Sequence, residues 1–293
     1  MKISRHVYDY IRKQINEGIT EEGTPDLKYY AFDWDDNIMF MPTQIMVLSD
    51  KDEEVGMSTE EFAEHRHQIG VEPFNFKGTT IVGYSSKPYI NFTDNKKSNN
   101  RFILDSMIAP LGPSWNDFVE CINGGSIFSI ITARGHSPET LKDAVGKLIK
   151  KNHNGLNSGS LARSLKVYRD IGNPPSKEKK NYSLSDKELN EYLDMCVFAP
   201  VTYGQGSAAN PESLKKDAMR RFISYCKEMA DYIGKSGARF KDLVVNHEIN
   251  PVIGFSDDDF GNVKSMTDML SSEYPDLPVS VYYTKGGEKR KHY

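Results

Sequence analysis

Cysteine is scarce, with 3 in 293 residues. Cys121, Cys196 and Cys226 lie far apart and make neither a CxxC pair nor a Cys/His zinc pattern. An odd, sparse set argues against a disulfide framework and fits a reducing compartment. A strong charge of either sign is also lacking. Lys and Arg number 37 against 41 Asp and Glu, a formal charge of −4. That balance argues against a generic DNA-coating protein, which needs a basic surface to replace phosphate counterions. No stretch approaches the roughly 18 apolar residues of a membrane span. The first ten residues, MKISRHVYDY, hold no apolar signal core. These absences lead to the expectation of a soluble cytoplasmic protein with no membrane partner.

Apolar residues make up 38% of the chain and aromatics 11%. That is enough to build a core and excludes wholesale disorder. At about 150 residues per domain, the length allows one large domain or two modest ones.

Short apolar runs alternate with helical patterns. Residues 4–18 read as a short amphipathic helix. Leu27–Phe32, Ile127–Ile131, Cys196–Tyr203, Val252–Phe255 and Val279–Tyr283 read as strands. Pro200 predicts an edge position or an irregularity in the third of these. Helices are expected at Ser58–Gln68, Trp115–Ile122, Pro138–Lys151, Ser213–Ile233 and from Val263 to about Leu270. Ser137 and Pro138 supply a cap and a first helical residue. Thr79–Thr93 alternates apolar and polar residues around Ser85–Pro88 and predicts a β-hairpin. Asp94–Arg101 reads as a polar loop, and residues 152–187 as a mobile insertion rich in Asn, Gly, Ser, Lys and Pro. The alternation predicts an α/β sheet with helices on both faces, and ligands bind at the carboxyl ends of the strands in such sheets.

Three strand ends carry chemistry. After Phe32 comes Asp33-Trp34-Asp35-Asp36-Asn37. Alternation in an extended segment points Asp33 and Asp35 the same way. Their mutual repulsion is relieved by a cation, and all-oxygen donors suit Mg²⁺. Thr132 follows the buried-looking Ile130-Ile131, where a hydroxyl and free N–H groups can hold a phosphate oxygen. Ser256-Asp257-Asp258-Asp259 follows the fourth run; acids at a strand end need either water or a partner. Arg134 is placed to touch substrate phosphate or to pair with a surface acid. His65 and His67, two apart on a helix, point away from each other and make a poor metal pair.

The ordered set is an apolar run into DxDxN, a run into Thr, a Lys-bearing helix and a run into DD. It resembles the haloacid dehalogenase-like (HAD) superfamily of phosphotransferases. The motifs span Asp33 to Asp258 and frame most of the chain. The resemblance implies a three-layer Rossmann-like α/β core and Mg²⁺-dependent hydrolysis of a phosphate monoester. In that scheme Asp33 becomes an aspartyl-phosphate, Asp35 protonates the leaving oxygen, and Thr132 holds the phosphoryl group. Lys215 or Lys216 supplies the family's lysine. The metal falls to Asp33, Asp35 (through its backbone carbonyl), Asp257 and Asp258, with Asn262 an alternative companion to Asp257. Asn37 stands where Thr or Val is common, and a local hydrogen bond from it is expected to suffice.

The resemblance places a core at 1–42 and 114–293, interrupted by an insertion at about 152–195, with a cap-like insertion at 43–113. The expected partner is a small phosphorylated substrate: a nucleotide, a sugar phosphate or a nucleic-acid end. A polynucleotide 3′-phosphatase and a catalytically silent binding protein of the same fold stand as alternatives.

Overall fold

The structure, a computed structural model, describes residues 26–166, 183–204, 210–235, 239–240, 243–244 and 250–293. The helix expected at 4–18 lies outside them. In chain order the strands are β1 (Asp26–Phe32), β2 (Ile45–Ser49), β3 (Glu54–Met57), β4 (Phe74–Phe76), β5 (Thr79–Tyr84), β6 (Phe128–Thr132) and β7 (Val197–Pro200). There follow β8 (Arg239–Phe240), β9 (Leu243–Val244), β10 (Asn250–Asp257), β11 (Val279–Lys285) and β12 (Glu288–Lys291). The helices are α1 (Thr59–His65), α2 (Lys96–Ser106), α3 (Trp115–Asn123), α4 (Pro138–Lys150), α5 (Ser158–Lys166), α6 (Asp186–Met195), α7 (Pro211–Lys235) and α8 (Phe260–Glu273).

Six strands form a mixed sheet in the order β12-β11-β10-β1-β6-β7. Every pairing in it is parallel except β11 with β12. Parallel strands need both faces covered. Accordingly all five residues of β6 are buried. Successive side chains of β1 point to opposite faces. Tyr29 meets Phe222 of α7 edge to face at 6.4 Å on one side, and Phe32 meets Phe118 of α3 at 5.6 Å on the other. Helices therefore cover both faces. β7 pairs with β6 alone among the described strands, so Pro200 sits on an edge as its missing N–H predicts. The three cysteines are unpaired and buried in the main core, where loss of water pushes all three thiols up, that of Cys196 to about 12.

Residues 45–84 add a four-stranded antiparallel sheet, β3-β2-β5-β4, with its own small core of Val47, Met57, Ile69, Phe76 and Ile81. Ser58 caps α1, and a reciprocal bond from its N–H to Glu61 completes a capping box.

Three sequence expectations change. Thr79–Thr93 is not a hairpin. β5 pairs with β4 and β2, and residues 90–92 make a single 3₁₀ turn. Of Tyr89, Ile90 and Phe92, only Phe92 is buried, so the alternation there had no sheet face behind it. Asp94–Arg101 is not a loop: Asn95 caps α2 by accepting from the Ser98 N–H. The first turns of α2 are polar, with only Ser98 buried there, and most of its burial comes from Phe102, Ile103, Asp105 and Ser106 further on. Within 152–195, the described residues hold two helices, α5 and α6. They place Leu161, Leu189, Tyr192 and Leu193 in the main core rather than in a mobile insertion.

Candidate active site at the carboxyl edge of the sheet

Strand register brings the three motifs together. Phe32 aligns with Ser256 on one neighbour and with Ile130 on the other, so Asp33, Thr132 and Asp257 emerge at one edge. The Asp33 N–H continues the ladder to the Ser256 carbonyl at 2.9 Å. The chain then turns sharply. Trp34 is fully buried, its carbonyl accepts from Ile38 and Met39, and Asp36 adopts a left-handed φ of 53°. Asp and Asn tolerate that conformation better than most residues.

Asp33, Asp257 and Asp258 each offer a carboxylate oxygen within 4.8 Å of the others. Lys215 reaches them from α7, its Nζ 2.6 Å from Asp257 Oδ2 and 3.2 Å from Asp33 Oδ1. Burial favours the neutral lysine, but the charges of Asp257 and Asp33 outweigh it and hold Lys215 protonated, above the usual lysine range. Loss of water raises Asp33 to about 7, helped by Asp257 and Asp35 and opposed by Lys215. Loss of water, with Asp257 and Asp33, also pushes Asp258 up. Three carboxylates against one ammonium leave two negative charges, which a divalent cation would neutralise. The donors within this spacing are all carboxylate oxygens.

Two buried side-chain oxygens at this edge make no hydrogen bond within the fold. They are Thr132 Oγ1 and Asp33 Oδ1, the second of which has only its ion pair with Lys215. Buried polar atoms are rarely left unmatched, so each such atom calls for an explanation.

Asp35 is absent from the carboxylate trio. Both of its oxygens accept from Arg134, whose Nη2 also donates to Thr43 Oγ1 at 3.0 Å. The Arg134 guanidinium lies between the rings of Phe92 and Phe102, at 4.9 and 4.6 Å. Its acid partner is thus buried rather than at the surface, and its Nη1 has no hydrogen-bond partner.

Lys216 is half-buried one position further along α7, and no contact joins it to the carboxylates. Asn262 Nδ2 donates to both oxygens of Asp257, at 3.1 and 3.3 Å, and Asp259 caps α8. The DDD run therefore divides its labour: Asp257 and Asp258 face the site, while Asp259 starts a helix.

Asn37 does more than the expected local bond. Fully buried, it donates to the carbonyls of Asp33 and Ser256 and to Ser256 Oγ, and accepts from Ser114 Oγ and Thr284 Oγ1. It ties the turn after β1 to β10, β11 and the start of α3. A side-chain amide offers that mix of donors and acceptors, and the short Asn arm sets it next to the Asp33 carbonyl. Its place two residues after Asp35 is the one sequence signal that marks it. His65 stacks on Phe74 at 5.2 Å and His67 is exposed, so they do not converge. Tyr84 and Tyr89 pack against Phe62, at 6.3 and 6.0 Å.

No described helix is long and apolar enough to cross a membrane. The chain matches no family model, no curated protein and no solved structure.

Proposed function

We propose that this chain is a Mg²⁺-dependent phosphatase of the HAD type, hydrolysing a phosphate monoester through an aspartyl-phosphate on Asp33. One observation carries the reading. Asp33, Thr132, Lys215, Asp257 and Asp258 come from four distant segments to one strand edge, where the Thr132 hydroxyl has no hydrogen-bond partner and Asp33 Oδ1 faces only the Lys215 ammonium. The mostly parallel six-stranded sheet supports a Rossmann-like core, and the antiparallel sheet of residues 45–84 supports a cap inserted after the first motif.

Asp33, Asp257 and Asp258 would hold the cation with the Asp35 carbonyl. When bound, it neutralises the carboxylates and the phosphate so that one anion can approach another. Asp33 attacks phosphorus with a carboxylate oxygen while the ester oxygen departs, taking a proton from Asp35. Water, deprotonated by Asp35, then attacks the phosphoryl group and frees Asp33 with release of phosphate. Thr132 donates to a phosphoryl oxygen, and the Lys215 ammonium faces the charge on the transferring group. Arg134 fixes the Asp35 carboxylate, leaving each oxygen a second lone pair for the proton.

The test is hydrolysis of p-nitrophenyl phosphate and a broad phosphate-ester panel, with Mg²⁺ and with chelator. Activity that needs Mg²⁺ and disappears in Asp33→Asn is the expected result. Turnover no higher than that of Asp33→Asn across the whole panel would falsify the enzyme reading.

A further inference from the structure

Beside the carboxylate trio a cavity of about 300 Å³ opens between α1 and the loops after β10 and β11. That is the lower end of small-ligand pockets, roughly 300–1,000 Å³, and suits one unit rather than a chain. Its wall has an aromatic part and a charged part. Phe260 is 51% exposed. Its ring meets Tyr283 edge to face at 5.4 Å and His292 at 5.6 Å. Two neighbouring rings brace Phe260 while half of its surface stays open to a flat partner.

The charged part is lopsided. Five carboxylates, Asp36, Glu60, Glu64, Asp258 and Asp259, face two cations, Arg66 and Lys285. Both cations already face acids: Arg66 is 3.0 Å from Asp259 and Lys285 is 3.5 Å from Glu64. Among the described residues, Asp36 and Glu60 take part in no ion pair. A cation held by the trio offsets Asp258 and leaves Glu60 and Asp36 without a paired cation, although Asp36 accepts from the Thr59 hydroxyl. Carboxylates accept hydrogen bonds from hydroxyls and repel a further phosphate.

We propose that this cavity receives the leaving group of the phosphate ester, and that this group is a single uncharged nucleoside, with its base on Phe260 and its hydroxyls toward Glu60 and Asp36. A polyphosphate or a nucleic-acid strand is excluded by the acidic wall. The assignment rests on the phosphatase reading only in taking the carboxylate trio as the phosphate end.

The experiment has a binding arm and a turnover arm, both on the full chain. Calorimetry with adenosine tests the cavity without any phosphate. Binding to the wild type, weakened at least fivefold in Phe260→Ala, is expected. Turnover compares adenosine 5′-monophosphate with ribose 5-phosphate, adenosine 3′,5′-bisphosphate and a 3′-phosphorylated oligonucleotide. The monophosphate is expected to exceed each of the others at least tenfold in kcat/KM. Phe260→Ala removes its advantage over ribose 5-phosphate through KM, and Glu60→Gln narrows the gap to the bisphosphate. A bisphosphate or oligonucleotide equal to the monophosphate overturns the proposal. So does adenosine binding that is absent or indifferent to Phe260→Ala, even if p-nitrophenyl phosphate is hydrolysed. Adenosine binding that depends on Phe260, in a protein that hydrolyses no ester, upholds the cavity assignment and removes the phosphatase reading alone.

Discussion

Arg134 grips Asp35 through two parallel bonds, Nε to Oδ2 at 2.8 Å and Nη2 to Oδ1 at 2.6 Å. Both side chains are buried, and the guanidinium plane is clamped between Phe92 and Phe102. A planar fork recognises a carboxylate in a way an ammonium cannot. Arg134→Lys should therefore keep the charge but loosen the geometry, lowering kcat at least tenfold with little change in KM. Arg134→Ala leaves a buried acid without its cation, a loss of about 3–5 kcal/mol in urea unfolding. A lysine variant with wild-type kcat would remove Arg134 from the positioning of Asp35.

Thr132→Val separates folding from chemistry. The hydroxyl it removes has no partner in the fold, so the methyl should leave the melting temperature unchanged or slightly higher. Turnover should fall, because the donor to the phosphoryl group is lost; removing one such donor costs about 100- to 1,000-fold where it has been measured elsewhere. A drop in stability with unchanged kcat/KM is the opposite pattern and would make Thr132 a folding residue.

The pH dependence of the metal-free protein has a defined sign at Asp33. Burial raises its carboxyl from 3.8 to about 7. Between those values the folded state keeps a proton that the unfolded chain has released. Stability from this group is full below about pH 4 and falls as pH rises through 7. His136 slopes the other way over part of that range, because burial and Arg134 lower it to about 3. The difference between Asp33→Asn and wild type reports this carboxyl together with its push on Asp258. Urea titrations in chelator should show the variant gaining on wild type from pH 5 to pH 8, by a few kcal/mol at most. Added Mg²⁺ should reverse the gain. A flat difference across that range would show that Asp33 is not strained.

Asn37→Ala should destabilise the fold and disorder the site together. It strands the Thr284 hydroxyl and the Asp33 carbonyl, while the Ser256 carbonyl keeps the Asp33 N–H and the Ser114 hydroxyl keeps Ser256 Oγ. At about 1–3 kcal/mol for each buried group left unmatched, a loss of several kcal/mol is expected in urea unfolding. A loss under about 1 kcal/mol would mean that water replaces the side chain.

The parallel strands and the residues at their carboxyl ends were legible because both signals are local. An apolar run ending at Asp33, Thr132 or Asp257 needs no knowledge of what lies beside it. Partners across the sheet were not legible. Arg134 belongs to Asp35, 99 positions away, and the neighbourhood of Arg134 gives no sign of it. Asn37 was read by its nearest contacts, whereas its role is set by Ser114, Ser256 and Thr284. The apolar setting of Leu214 and Ala218-Met219 favoured Lys215 over Lys216 only slightly, since which of them reaches Asp257 depends on how α7 lies over the sheet. The lost hairpin and the hidden α2 have one cause. Period-two and polar patterns report burial only when a partner surface exists, and the surface that buries Phe92, Phe102 and Ile103 is remote in sequence.

Few as they are, Cys121, Cys196 and Cys226 give the protein a clock of its own. All three sit in the main core with thiols pushed up by burial, so an alkylating reagent in neutral solution finds almost no thiolate to attack. Labelling then proceeds only during moments when the core opens. The residues are spread over α3, the junction of α6 with β7, and α7. Their separate labelling rates, read by mass spectrometry without any introduced probe, time the opening of three regions of one core.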